Sequence, residues 1–195
     1  MTAWITIVPY DDADAATRAA MDATRGPFGT LDNVMQVHSL RPNTMVAHKT
    51  LYRAALHDDT NTLPLWLQEL VGSYVSLLND CTYSFTNHWA NCRHLMDDAE
   101  RAARIEAALR ARTPEAALSG RDLALARYAE KLTLHPGAMA EGDVIALRAA
   151  GLDDGQILEA NQIVGYFNYA NRVLNGLGVS NRGEIIGYYS SATRA

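Results

Sequence analysis

Cysteine is scarce in this 195-residue sequence. Cys81 and Cys92 are the only two, too few for a disulfide-rich scaffold, so the default compartment is a reducing cytoplasm. Long apolar runs are missing as well, and no segment approaches membrane-spanning length. Acidic residues outnumber basic ones by 22 to 17, for a formal charge of −5. With no basic run to reverse that balance, there is no general attraction to nucleic acid or to an anionic membrane. The opening MTAWITIVPYDDADAA has no positive start and no apolar core, so no secretory leader is expected. Alternating β patterning is nearly absent; only residues 4–8 look strand-like, and they read equally as an extended arm. A Gly-rich phosphate loop is lacking too, and no cofactor is expected.

What remains is a succession of helical patterns. Hydrophobic residues make up 48% of the chain, enough for a substantial core. The expected architecture is all-α, a multi-helix bundle in one domain over 1–195, with an N-terminal arm and helix in 1–30 and a tail over 180–195. Helices are expected over 12–24, 32–39 and 43–56, the last two separated by Arg41-Pro42. Thr62-Leu63-Pro64 should start an apolar helix reaching Leu78, with proline tolerated in its first turn. Asn79-Asp80 separates it from a helix opened by Cys81. Further helices are expected over 100–112, from Gly120 to Leu134, and over 142–150 with Gly151 just past its end. A long one starts at Asp153, with Gln156 completing a capping box, and runs to about Gly176. The tail carries Ile185-Ile186 and Tyr188-Tyr189, which could dock on a neighbour. Residues 69–84 and 159–174 echo one another, each an apolar helix beginning with Glu and carrying Gly, Tyr and Asn. A duplicated helical unit would account for the echo, and so would chance similarity between two buried helices.

The chemistry-bearing residues gather in one stretch. On the 63–78 helix, Glu69, Gly72, Ser73 and Ser76 form a narrow polar stripe on an otherwise apolar surface. That stripe faces either solvent or an internal polar site, where Glu69 would need a partner. Cys81, Ser84 and His88 follow at i, i+3 and i+7, one stripe of the next helix. A thiol at a helix N-terminus is favoured as thiolate. Each residue also has a plain reading: Cys81 as an inert core residue, His88 as a hydrogen-bonded structural histidine. Cys92 follows His88 at ligand spacing, but no second pair stands nearby and no metal is expected. Nor can Cys81 and Cys92 bridge within one helix, since 11 residues rise roughly 16 Å. His135 reads as a loop residue in a Pro-Gly turn. His38, His48, His57 and His94 show no partner pattern.

Taken together, Glu69, Cys81, Ser84 and His88 resemble the site of the alkylhydroperoxidase D and carboxymuconolactone decarboxylase superfamily. They fall in register on its pattern of Glu, eleven residues, Cys, two residues, Cys, three residues, His. Residues 127–179, ending in YFNYANRVLNGLGV, and the Arg41-Pro42 region are similar to the peroxidase-related branch. The resemblance implies an alkylhydroperoxidase D-like bundle, assembled as a trimer or hexamer. It also implies a site in which Glu69 tunes His88, and His88 takes a proton from Cys81 directly or through water. The second family cysteine, the one that attacks peroxide, is here Ser84, which can form neither a sulfenic acid nor a disulfide. Three readings follow. Cys81 could serve a single-cysteine peroxidase or thiol reductase, resolved by an external thiol or by Cys92 of another subunit. His88 and Glu69 could carry protons in non-redox decarboxylase- or isomerase-like chemistry on a small organic acid or similar molecule, with Ser84 as hydrogen-bond donor. Or the site has decayed, leaving an oligomeric binding protein.

Overall fold

In the computed structural model, which describes residues 1–189, the chain forms nine α-helices and no strand among those residues. In order they are α1 (Ala15–Ala23), α2 (Asn33–Gln36), α3 (Pro42–Leu56), α4 (Leu65–Leu78), α5 (Thr82–Met96), α6 (Ala99–Arg110), α7 (Gly120–Leu134), α8 (Glu141–Ala149) and α9 (Asp154–Leu177). Single 3-10 turns at Pro114–Ala116 and Pro136–Ala138 take the places of the Pro-containing breaks. Residues 4–8 are an arm rather than a strand: the Trp4 N–H reaches the Leu177 carbonyl at 2.8 Å, and no ladder follows. The part of the expected 180–195 tail beyond residue 189 lies outside the described residues.

Helix α4 is the centre of the bundle. Eleven of its fourteen residues are buried, because its Leu, Val and Tyr positions surround the axis and α5, α7 and α9 cover them. Proline at 64 stands just before the helix as its N-cap instead of inside the first turn. The polar stripe points inward, so Glu69, Ser73 and Ser76 are fully buried. Ser73 and Ser76 satisfy their hydroxyls by donating to the carbonyls four residues back, Glu69 O at 2.7 Å and Gly72 O at 2.8 Å. Gly72 is where α9 comes closest, and a Cβ there would sit 2.2 Å from the Phe167 ring.

The α4–α5 turn is a Schellman closure. Asp80 takes the left-handed conformation with φ +52°, the Asp80 N–H donates to Leu77 O at 3.1 Å and the Cys81 N–H to Ser76 O at 2.8 Å. Cys81 therefore ends one helix and caps the next. From α9, the Asn175 side chain donates to Asn79 O at 2.9 Å, and Asn79 donates to Asn168 and Asn171, both at 3.1 Å. That ladder of amides fixes where α5 starts. The capping box at Asp153 and Gln156 forms as its spacing implies.

Candidate active site

Glu69 and His88 meet. Antiparallel packing of α4 on α5 brings the two side chains together, with His88 Nδ1 donating to Glu69 Oε2 at 2.7 Å. The other carboxylate oxygen accepts from Asn91 Nδ2 at 3.0 Å, so both oxygens of a fully buried carboxylate are satisfied. Asn91 lies one turn beyond His88 on the same face, and its own Oδ1 accepts from the Tyr188 N–H at 2.7 Å. Phe167 stands edge-on to the imidazole with centroids 4.6 Å apart, a position open to it because residue 72 is glycine. With Nδ1–H given to the carboxylate, Nε2 carries the lone pair of the neutral ring, and no described residue bonds it.

His88 and Ser84 line the same cavity, about 60 Å³ in volume and open to solvent at its mouth. Four phenols are set in its walls, Tyr52, Tyr83, Tyr166 and Tyr188. Burial pushes all four phenols above their ordinary value, so they remain protonated. Ser84 is hydrogen-bonded to Ser76 at 2.9 Å. The segment 180–189 adds a further wall and docks on its own chain: the Gly187 N–H donates to Asn87 Oδ1 at 3.1 Å and Tyr188 Oη to Asp32 Oδ2 at 2.8 Å. Glu184 in that segment accepts from the Asn33 N–H and from Tyr83 Oη. Burial raises its carboxyl from 4.5 to about 7.

Cys81 stands apart from this cavity. Residues i and i+7 share a helix face but are two turns apart, roughly 10 Å along the axis. The stripe read from sequence fixes the angle and leaves that rise unclosed. Cys81 is buried in a small cluster with Ala3, Val37, Tyr83, Leu174 and Val179, and it edges a different, more open hollow beside Arg93, Glu106 and Arg110. No hydrogen bond joins it to His88 among the described residues. Nor does the helix terminus leave it a thiolate: burial pushes the thiol up, only partly offset by the Ser84 N–H and the Asn171 amide. Cys92 is wholly buried and donates to Trp66 O at 3.3 Å. Burial, then the Glu69 charge, push its thiol up too.

Several site residues had no sequence signal. His48, on α3, bonds Tyr166 Oη through Nε2 at 3.1 Å and His38 through Nδ1 at 3.1 Å. His57 Nε2 bonds Tyr52 Oη at 2.7 Å. The His48–Tyr166 pair spans 118 residues, beyond any local spacing rule, whereas Asn91 could have been found three residues after His88. Among the described residues no cluster of His, Cys, Asp and Glu is arranged to hold a metal, and no helix is long and apolar enough to cross a membrane.

No family model and no curated protein matches the chain. Solved structures do. One is an alkylhydroperoxidase AhpD core, an uncharacterized peroxidase-related protein from Ralstonia eutropha JMP134, with TM-score 0.79, 20% identity and 92% of each chain covered. The chain has the alkylhydroperoxidase D-like fold. A second alkylhydroperoxidase D-like neighbour, an uncharacterized peroxidase-related protein from Silicibacter sp. TM1040, superimposes with TM-score 0.76 at 22% identity over 92% of this chain and 91% of its own. A Cys-to-Ala variant of the debrominase Bmp8 in complex with 2,3,4-tribromopyrrole matches with TM-score 0.71 at 14% identity, covering 97% and 93%.

Proposed function

We propose that this alkylhydroperoxidase D-like protein is an acid–base enzyme acting on a small aromatic or heteroaromatic molecule that carries a weakly acidic O–H, N–H or ring C–H. The observation that carries the reading is the Glu69–His88 pair: a buried carboxylate orients the imidazole at 2.7 Å and leaves Nε2 toward a ring-lined cavity. His88 Nε2 accepts the proton, the imidazolium is held by the Glu69 carboxylate, and the substrate keeps the electron pair as an anion. The walls suit a flat ring, and a brominated pyrrole is what one neighbour of the same fold carries. Deuterated water supplies a direct test. A panel of small phenols and pyrroles should bind and exchange a ring proton for deuterium, and His88→Gln should slow that exchange by about 10²-fold or more. Exchange that proceeds equally in His88→Gln overturns the reading.

Peroxidase chemistry at Cys81 is the second reading, favoured by the names of the two peroxidase-related neighbours and by the Ser84 N–H and Asn171 amide turned to the sulfur. Hydrogen peroxide oxidises the Cys81 thiol to a sulfenic acid with release of one water, after which two equivalents of an external thiol restore the reduced form and leave as their disulfide with a second water. A sulfenic-acid trap that labels Cys81 after peroxide treatment would support it. The buried, raised thiol leads us to expect no label.

A further inference from the structure

We infer that Tyr166, His48, His38 and Thr44 form a directed proton relay from the cavity wall to the protein surface, which carries away a proton released inside. The inference deepens the acid–base reading and takes its purpose from it, but the chain of contacts stands on geometry alone. Tyr166 lines the cavity. Its hydroxyl bonds His48 Nε2 at 3.1 Å, His48 Nδ1 bonds His38 Nε2 at 3.1 Å, and His38 Nδ1 bonds Thr44 Oγ1 at 2.8 Å. His48 is 1% exposed and Tyr166 6%, whereas Thr44 is at the surface.

The direction follows from the outer end. Thr44 has one hydroxyl proton and two acceptors at 2.8 Å, the Arg41 carbonyl and His38 Nδ1, and in the inferred relay it goes to the carbonyl. Thr44 Oγ1 must then accept from His38 Nδ1–H, which leaves neutral His38 with Nε2 as an acceptor. His48 consequently donates through Nδ1–H and accepts through Nε2, so the Tyr166 O–H donates into the wall and its lone pairs face the cavity. When Tyr166 Oη takes up a proton that the His88 imidazolium has released into the cavity, its own proton passes to His48 Nε2, the His48 Nδ1 proton passes to His38 Nε2, and His38 becomes an imidazolium that releases to water. Each atom regains its valence and no redox partner is needed. Burial, the His38 ring and the Lys49 charge hold His48 down at about 3, so it transmits the proton without storing it. Burial lowers His38 as well, which favours release.

Two measurements test this without a ligand. Long-range nitrogen–carbon NMR spectra of histidine-labelled protein should show both His38 and His48 protonated on Nδ1 alone; an Nε2–H form of either overturns the direction. Thr44→Val should release the lock and give a mixture of tautomers at His38, and an unmoved pure form would contradict the assignment. Solvent deuterium should reach the His48 ring N–H through His38, so His38→Gln, which can accept a hydrogen bond but cannot carry a proton onward, should slow exchange roughly tenfold or more, to the rate set by local opening. An unchanged rate in His38→Gln rejects the relay. Because neither measurement uses a substrate, failure here leaves the His88 reading standing, and failure of ring-proton exchange leaves the relay standing.

Discussion

One stripe of helix α5 has two ends, the Cys81 flank and the His88 flank, two turns apart along the axis. On one, His88 has a carboxylate behind it, an amide fixing that carboxylate, and an aromatic edge beside it. On the other, Cys81 has alanine, valine and leucine neighbours and a thiol pushed up by burial. The support around a side chain separates a prepared proton acceptor from a packed sulfur, and residue type alone does not. Cys81 also has a backbone task, ending α4 and starting α5. A small, half-apolar residue suits that Schellman position, where a hydrophobic contact accompanies the turn.

The change that should break the comparison hardest is Glu69→Ala. It leaves the His88 Nδ1–H and the Asn91 amide without an acceptor inside the bundle, and each buried donor orphaned in this way costs about 1–3 kcal/mol. Denaturant unfolding would measure this, and a loss below about 1 kcal/mol would mean that the pair is not the buried unit described. Gly72→Ala should come next, because the added Cβ meets the Phe167 ring at 2.2 Å. Overpacking at a well-filled helix crossing costs about 1–3 kcal/mol. The displaced ring no longer braces the imidazole, so the His88 ring resonances should shift while those of the Cys81 flank hold still.

A third test uses pH on the 180–189 wall. The Glu184 carboxyl lies at about 7 in the folded protein against 4.5 when free, so folding takes up a proton in that window. Its contribution to docking is complete below pH 4.5 and is lost as pH rises through about 7. Protection of the Gly187 and Tyr188 amides from exchange should fall over that interval, and Glu184→Gln should flatten the profile. A profile still sloping in that variant would assign the titration elsewhere.

Much of the scaffold was legible because its signals are local. The Asp153–Gln156 box, the Arg41-Pro42 break, the Gly120 start and Gly151 with φ +92° all act within a few residues. The inward turn of the α4 stripe was readable as one of two possibilities, since a helix apolar nearly all round has little surface to give to solvent. What escaped depends on distance across the fold. His48 reaches Tyr166 on another helix, and the 180–189 segment supplies a cavity wall from a stretch with no periodicity. The Cys81–His88 link was overread for a related reason: helical spacing reports direction around the axis and says nothing of two turns of rise along it.

Cys81→Ala should have the smallest effect, and that smallness is the sharpest check on the difference between the flanks. The substitution removes one sulfur from a cluster of small side chains, leaves the Cys81 N–H to Ser76 O bond in the backbone, and should cost about 1 kcal/mol or less. Ring-proton exchange on the phenol panel should survive it within about twofold, since changes away from the acting groups leave the barrier nearly unmoved. In the parent protein, a thiol reagent should label Cys81 slowly, the side chain being 1% exposed. Abolition of turnover by Cys81→Ala, with the fold intact and His88→Gln still active, would reverse the comparison: the sulfur flank would then hold the chemistry, and the imidazole with its buried carboxylate would be a polar brace for the bundle.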